Sequence, residues 1–315
     1  MEIIESIVRS AAVLPKSYSK IGDDVAVIPA GGGKVVLKTD MLVQGTDVPK
    51  QMSFRQAARK SVAMCVSDFA AKGVKPDSFM VSLGLKRGVT RSQVRELSLG
   101  LRDASNEWNL RLIGGDTSEA VELSINCTMV GFARRFTRRA GAAPGDVVAV
   151  SGRFGYPPSG LKILRDGARA TPSFRRKAVG SVLMPTPNLR LGLALAGCWT
   201  AAMDSSDGLA RSLHILSKAS RVGIEIWKRP TGQDVKEFAA KNGLAVDKLV
   251  LEGGEEYLIV GTIKPSRVLS AARIARANGG EILVIGRVTR RQGGVSIHVE
   301  SGVKPLADAG WVHLR

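Results

Sequence analysis

Hydrophobic and polar positions along this chain fall into two successive series of strands and helices. The β-branched stretches "KVVLKTDMLV" (34–43) and "ELSINCTMVGF" (122–132) predict strands. The stretches "SFRQAARKSVAMCVSDFAAKG" (53–73) and "TRSQVRELSLGLRDASNEW" (90–108) carry helical periodicity behind the capping residues Ser53 and Thr90. "GGGKVV" (31–36) predicts a hairpin turn. A turn-rich segment with Pro144 and Gly145 leads into the strand "DVVAVSG", and the domain boundary is placed there, giving units 1–140 and 141–315. The second half repeats the mixture, with helices predicted over 158–167, 205–220 and 265–280 and strands over 222–227, 256–263 and 281–288. The expected class is α/β (α+β) in two domains, without short repeats.

Composition narrows this picture. The 315 residues are 44% hydrophobic with a mean hydropathy of +0.04, and no apolar run approaches the roughly 18 residues of a membrane helix. The opening "MEIIESIVRS" lacks a basic stretch ahead of an apolar one, so a cytoplasmic protein without a secretory leader is expected. Cys65, Cys127 and Cys198 sit singly in apolar contexts and read as buried reduced thiols. The net charge of +18 and pI near 10.3 invite a nucleic-acid reading. The basic residues, however, form small separate clusters (Arg134, Arg135, Arg138 and Arg139; Arg175, Arg176 and Lys177; Arg290 and Arg291), and aromatics are only 5%. Anionic small ligands suit this charge better than nucleic acid.

The candidate chemistry is acidic. "MDSSDGLARS" (203–212) reads first as a helix start near Ser206 or Asp207, capped by Ser or Asp, yet it supplies more carboxylates than a cap uses. Asp23 and Asp24 follow Gly22, Thr39 and Asp40 interrupt an apolar strand, Asp68 interrupts an apolar helix, and Asp116 follows Gly114 and Gly115 at a strand's end. Each has an ordinary explanation as turn, edge-strand residue or cap. Together they suggest an oxygen-lined Mg²⁺ site completed by phosphates, because a buried carboxylate is costly unless paired or metal-bound. No P-loop is present, since "GYPPSGLK" (155–162) has Leu161 where lysine is needed, and no GxGxxG opens a helix. His214, His298 and His313 lie in no nucleophile-like context.

"IGDD", "KTD", "SDFAAKG", "LIGGDT", "RRAGAAPGD", "MDSSDGL" and "GGEEY" occur in an order and spacing that resembles the thiamine-monophosphate kinase family, from about Ile21 to Trp311. That family shares a superfamily with aminoimidazole ribonucleotide synthetase, selenophosphate synthetase and the hydrogenase maturation protein HypE. The resemblance implies an N-terminal α/β domain that dimerises through its sheet and an α/β C-terminal domain. It also implies transfer of the γ-phosphoryl group of ATP to thiamine monophosphate with several Mg²⁺ ions. Asp24, Thr39, Asp40, Asp68, Asp116, Asp204 and Asp207 match the family's Mg²⁺ ligands; Gly115, Asp116, Arg139 and Ser206 match ATP contacts; and Glu255 and Trp311 match substrate contacts. Asp116 and Arg139 are the expected catalytic groups. Three positions depart from the pattern: Lys38 stands where serine is common, Asp47 aligns with the substrate-binding histidine, and Glu256 replaces an aspartate. The alternatives are an aminoimidazole ribonucleotide synthetase-like enzyme and a non-catalytic nucleotide- or nucleic-acid-binding member. A chain ending "GWVHLR" argues against HypE, and the absence of cysteine before Cys65 argues against selenophosphate synthetase.

Overall fold

Gly31 and Gly32, both at positive φ, turn strand β1 (Ala26–Ala30) back onto β2 (Gly33–Val43), and the predicted hairpin forms there. The computed structural model describes residues 22–290 and 293–312. The opening segment, Arg291 and His313 lie outside the described residues.

Helix α1 (Phe54–Lys72) opens with a capping box of Ser53 and Gln56. Strand β3 (Pro76–Lys86) follows, and α2 (Arg91–Trp108) opens with the equivalent box of Thr90 and Gln93. Strands β4 (Arg111–Ala120) and β5 (Ser124–Ala133) complete a five-stranded sheet in the order β1-β2-β5-β3-β4. Its pairs are antiparallel except β3 with β4, whose parallel pairing requires the α2 crossover. Period-two alternation gives the sheet two unlike faces. Val36, Leu42, Phe79, Ile125 and Met129 are fully buried with the α1 residues Val62, Val66 and Phe69, whereas Met41, Met80 and Phe132 are exposed.

The second half builds a larger sheet. In chain order it comprises β6 (Val147–Val150), α3 (Tyr156–Asp166), α4 (Pro172–Leu183), α5 (Leu189–Leu195), β7 (Trp199–Ser205), α6 (Leu209–Ser220), β8 (Gly223–Ile226) and α7 (Gln233–Lys241). The elements β9 (Leu258–Ile263), α8 (Val268–Ala277), β10 (Leu283–Thr289), β11 (Val295–Val299) and β12 (Gly302–Pro305) follow. The seven strands run in the order β12-β11-β8-β10-β6-β9-β7. One core gathers Phe154, Leu213, Ile226, Phe238, Val260 and Ile285.

Helix α1 ties the two halves together. Almost every residue from Ala57 to Lys72 is buried, with β2 and β5 on one side and α5 and β7 on the other. Close approach needs small residues: a Cβ on Gly192 of α5 would collide with the Ala70 carbonyl. Among the described residues no helix is long and apolar enough to cross a membrane. All three cysteines are buried and free, as expected.

Two local expectations fail. Helix α6 begins at Leu209, later than the predicted start, and its N-cap is Gly208 at φ 115° with no side-chain cap. The chain through Asp204 and Ser205 is still extended, because it pairs with β9 at Ile259 and Leu258, so those side chains serve tertiary contacts in place of a helix end. Asp116 lies inside β4, opposite Ser82, and not in a turn. Gly114 and Gly115 sit within that strand, where a Cβ on Gly115 would meet the Val81 carbonyl.

Candidate active site

A buried helix that carries charge needs partners, and α1 carries three such residues in register. Lys60, Asp68 and Lys72 lie at multiples of four, so they follow one stripe of the helix, and each is almost completely buried. Their partners come from both sheets.

Asp68 meets Asp24, which precedes β1, and Asp204 of β7: one carboxylate oxygen from each lies within 4.8 Å of the others, and all three residues are buried. Ser67 donates a hydrogen bond to Asp204 Oδ2 at 3.0 Å. Burial, with the neighbouring Asp24 charge adding to it, pushes Asp204 up to about 6 from its ordinary 3.8. Burial and Asp204 likewise raise Asp68 well above the usual range. Asp24 goes the other way, because Lys72 and Arg139 together outweigh its burial and hold it below the ordinary value. Lys72 Nζ stands 2.5 Å from Asp24 Oδ2 and 2.6 Å from Asp23 Oδ1, and it donates to the Ala202 carbonyl at 2.8 Å. The Arg139 guanidinium donates to Asp24 from Nε at 2.5 Å and to the Gly22 carbonyl at 3.0 Å.

Strand β2 brings Lys38 and Asp40 to the same wall, since alternate residues share a face and their neighbours Val36 and Leu42 are fully buried. Lys38 Nζ lies 2.9 Å from Asp68 Oδ2 and 3.1 Å from Asp40 Oδ1. Thr39 therefore points to the opposite, solvent face, where its hydroxyl donates to Asn126 Oδ1 at 3.0 Å. Asp116 is on that solvent face too, in one row with Met41, Asn126 and Ser82. Within one chain the sheet separates Thr39 and Asp116 from Asp24, Asp40, Asp68 and Asp204.

A second cluster forms at the other end of the α1 stripe. Lys60 Nζ pairs with the Glu255 carboxylate and donates to the Asp47 carbonyl at 2.8 Å, so two expected substrate contacts share one buried ammonium. The Asp47 side chain is already engaged, accepting from the Val43 amide at 2.7 Å. Glu255 takes a left-handed φ of 63°, and its amide donates to the Ser206 carbonyl at 2.6 Å. The Asp207 carboxylate lies 3.8 Å from Arg211 Nε, while its carbonyl accepts from the Trp311 amide at 2.9 Å. Ser206, Asp207, Glu255 and Trp311 are thus joined through backbone contacts at one surface. A cavity of about 340 Å³ opens beside them, lined by Arg153, Tyr156, Ser181, Met184, Glu255 and Glu256. Glu256 is buried and accepts from the Gly155 amide at 2.5 Å.

The geometry has clear relatives. Residues 22–133 match the AIR synthase related protein N-terminal domain, and residues 143–299 match the AIR synthase related protein C-terminal domain. The thiamine-monophosphate kinase of Nitrosopumilus maritimus is 38% identical over 281 residues, 89% of each chain. The chain belongs to the thiamine-monophosphate kinase family. A second member of that family, from Pyrococcus horikoshii, is 33% identical over 94% of this chain and 91% of its own. A solved structure described as "AaThiL complexed with AMPPCP and TMP" superposes with a TM-score of 0.87 at 28% identity, covering 99% of this chain and 96% of that one. The thiamine-monophosphate kinase family is thus the frame for the paired sheets, which the superposed structure shares. Sequence reasoning missed Lys60 and Lys72. Their signal was present, since a lysine eight residues before Asp68 and another four after it recur on one side of the helix.

Proposed function

We propose that the chain transfers the γ-phosphoryl group of ATP to thiamine monophosphate, yielding thiamine diphosphate by direct in-line displacement. The observation that carries this reading is the buried trio Asp24, Asp68 and Asp204, held between the two sheets on the α1 stripe whose other end carries the Lys60–Glu255 pair. The relative described with AMPPCP and TMP supports both ligands.

Three buried carboxylates within reach of one another are a donor set for a hard cation, and Lys38, Lys72 and Arg139 neutralise the wall only in part because they also serve Asp40 and Asp23, making five carboxylates against three cations. Asp24, Asp40, Asp68 and Asp204 would hold Mg²⁺ on the inner wall, Asp207 at the α6 end, and Thr39 and Asp116 on the solvent face of the first sheet. Mg²⁺ bound there neutralises the charge that develops on the transferring phosphoryl group. Arg139, anchored on Asp24, sets a fixed positive charge at the nucleotide, and Gly115 and Ser206 provide its backbone and hydroxyl contacts. Glu255, oriented by Lys60, and Asp47 flank the acceptor, and Trp311 offers a half-exposed aromatic face to the cationic thiazolium. The acceptor is a phosphate, already anionic near neutrality, so no side chain has to remove a proton. The exposed arginines 134, 135 and 138 add to a field that draws both anionic substrates inward.

Two copies pair through the solvent face of the first sheet, where Met41, Met80 and Phe132 are exposed on the face that also carries Thr39 and Asp116. Units 1–140 and 141–315 divide the work between nucleotide with dimerisation and completion of the site, in the cytoplasm.

The test is thiamine diphosphate formation from ATP, Mg²⁺ and thiamine monophosphate by wild type and Asp116→Asn. Asp116 is exposed in the single chain and asparagine keeps its shape, so the variant is expected to fold, which circular dichroism without Mg²⁺ checks. Turnover is expected to fall about 100-fold or more. Absence of product with the wild type would overturn the function, and an unchanged rate in the variant would remove Asp116 from the site.

A further inference from the structure

Lys38 differs from the other two cations of the acidic wall. Lys72 and Arg139 both serve Asp24, and Lys72 is additionally fixed by the Ala202 carbonyl. Lys38 alone stands between Asp40 and Asp68, with its ammonium 3.1 Å and 2.9 Å from their oxygens. Both distances are hydrogen-bond lengths, so the ammonium fills the gap between these carboxylates. The backbone holds it there. Residue 38 is paired to Met129 of β5 in the middle of β2, one residue beyond the last β1 pair at Leu37, and Val36 and Leu42 on the same face are fully buried. A divalent ion bridging Asp40 and Asp68 would have to occupy the same space beside an unshielded like charge.

We propose that the Lys38 ammonium is a built-in cation of the phosphoryl-transfer site, taking the position between Asp40 and Asp68 that a divalent ion would otherwise fill. The proposal rests on the kinase reading above. It assigns divalent ions to the carboxylate oxygens of Asp24 and Asp204 and to the oxygens of Asp68 and Asp40 that Lys38 does not hold, and it leaves the chain with one metal position fewer than the same acidic wall without Lys38.

The experiment counts Mn²⁺ bound per chain by electron paramagnetic resonance, with adenosine β,γ-methylenetriphosphate present, for wild type, Lys38→Ser, Lys38→Gln and Lys38→Arg. The two neutral variants are expected to bind one more Mn²⁺ than wild type, and Lys38→Arg the wild-type number. Equal numbers in all four would overturn the assignment. Crystals of the wild type soaked in Mn²⁺ give a reading that needs no variant: the anomalous map is expected to show no Mn²⁺ between Asp40 and Asp68, and a peak there would overturn the proposal. Neither readout involves turnover, so a chain inactive on thiamine monophosphate and a Lys38 that yields its place to metal are separate results.

Discussion

Asp204→Asn opposes function and stability in a way that can be measured. In the metal-free protein the Asp204 carboxylate is buried near Asp24 and Asp68, and its folded value of about 6 lies above the ordinary 3.8. A carboxyl group whose value is raised on folding contributes stability below its unfolded value, and that contribution is lost as pH rises through the folded value. The gap is worth about 3 kcal/mol at neutral pH, at 1.36 kcal/mol per pH unit. Asparagine has the same shape, retains an oxygen to accept from Ser67, and carries no charge to bury. In EDTA at pH 8 the variant should therefore unfold with about 3 kcal/mol more free energy, or about 5 °C higher, with the difference vanishing near pH 4. In Mg²⁺ the order reverses, because the amide is a poor ligand and the gain on metal addition shrinks. The assay is urea and thermal unfolding from pH 4 to 8, with EDTA and with Mg²⁺, followed by turnover. A variant less stable than wild type in EDTA at pH 8, or one with an undiminished Mg²⁺ shift, would refute the reasoning.

Two further predictions use the second cluster. Lys60→Met removes the ammonium that fixes Glu255 and the Asp47 carbonyl, and since Glu255 is partly exposed the loss is discounted to about 1–2 kcal/mol. The KM for thiamine monophosphate should rise about tenfold while the Mg²⁺-dependent thermal shift stays at the wild-type value; an unchanged KM removes Lys60 from acceptor positioning. Burial holds the Glu256 carboxyl well above the usual range, partly offset by its hydrogen bond from the Gly155 amide, so wild-type stability declines as pH rises above the ordinary carboxylate value. Glu256→Gln keeps the acceptor oxygen, and by thermal unfolding it should melt above wild type at pH 8 and with wild type below pH 4.

Local pattern was enough for the elements whose stabilisation is local. The capping boxes at Ser53 and Thr90, the Gly31–Gly32 hairpin and the long strands β2 and β5 were all legible, because each depends on neighbours a few residues away. Helices α5 and α7, of 7 and 9 residues, were not identified, being short and stabilised by packing, and α4 was missed although Thr171 and Pro172 formed a readable start for it. The "DSSDGL" stretch was misread as a capped helix end because cap and strand end use the same residue types. Pairing with β9, a contact between distant segments, decided between them.

The same division runs through the site. Apolar surroundings drew attention to Asp40 and Asp68 from sequence alone, since an unpaired buried charge is costly, and Asp24, Asp116, Asp204 and Asp207 were grouped with them from glycine turns and element ends. Sequence could not show which of them meet. That depended on the period-two geometry of β2, which sends Lys38 and Asp40 inward and Thr39 outward, and on α1 lying between two sheets so that one stripe touches both. Residue types established that carboxylates are set into apolar stretches and glycine turns; the meeting of strand faces and the helix stripe decided which of them come together and which cations they share.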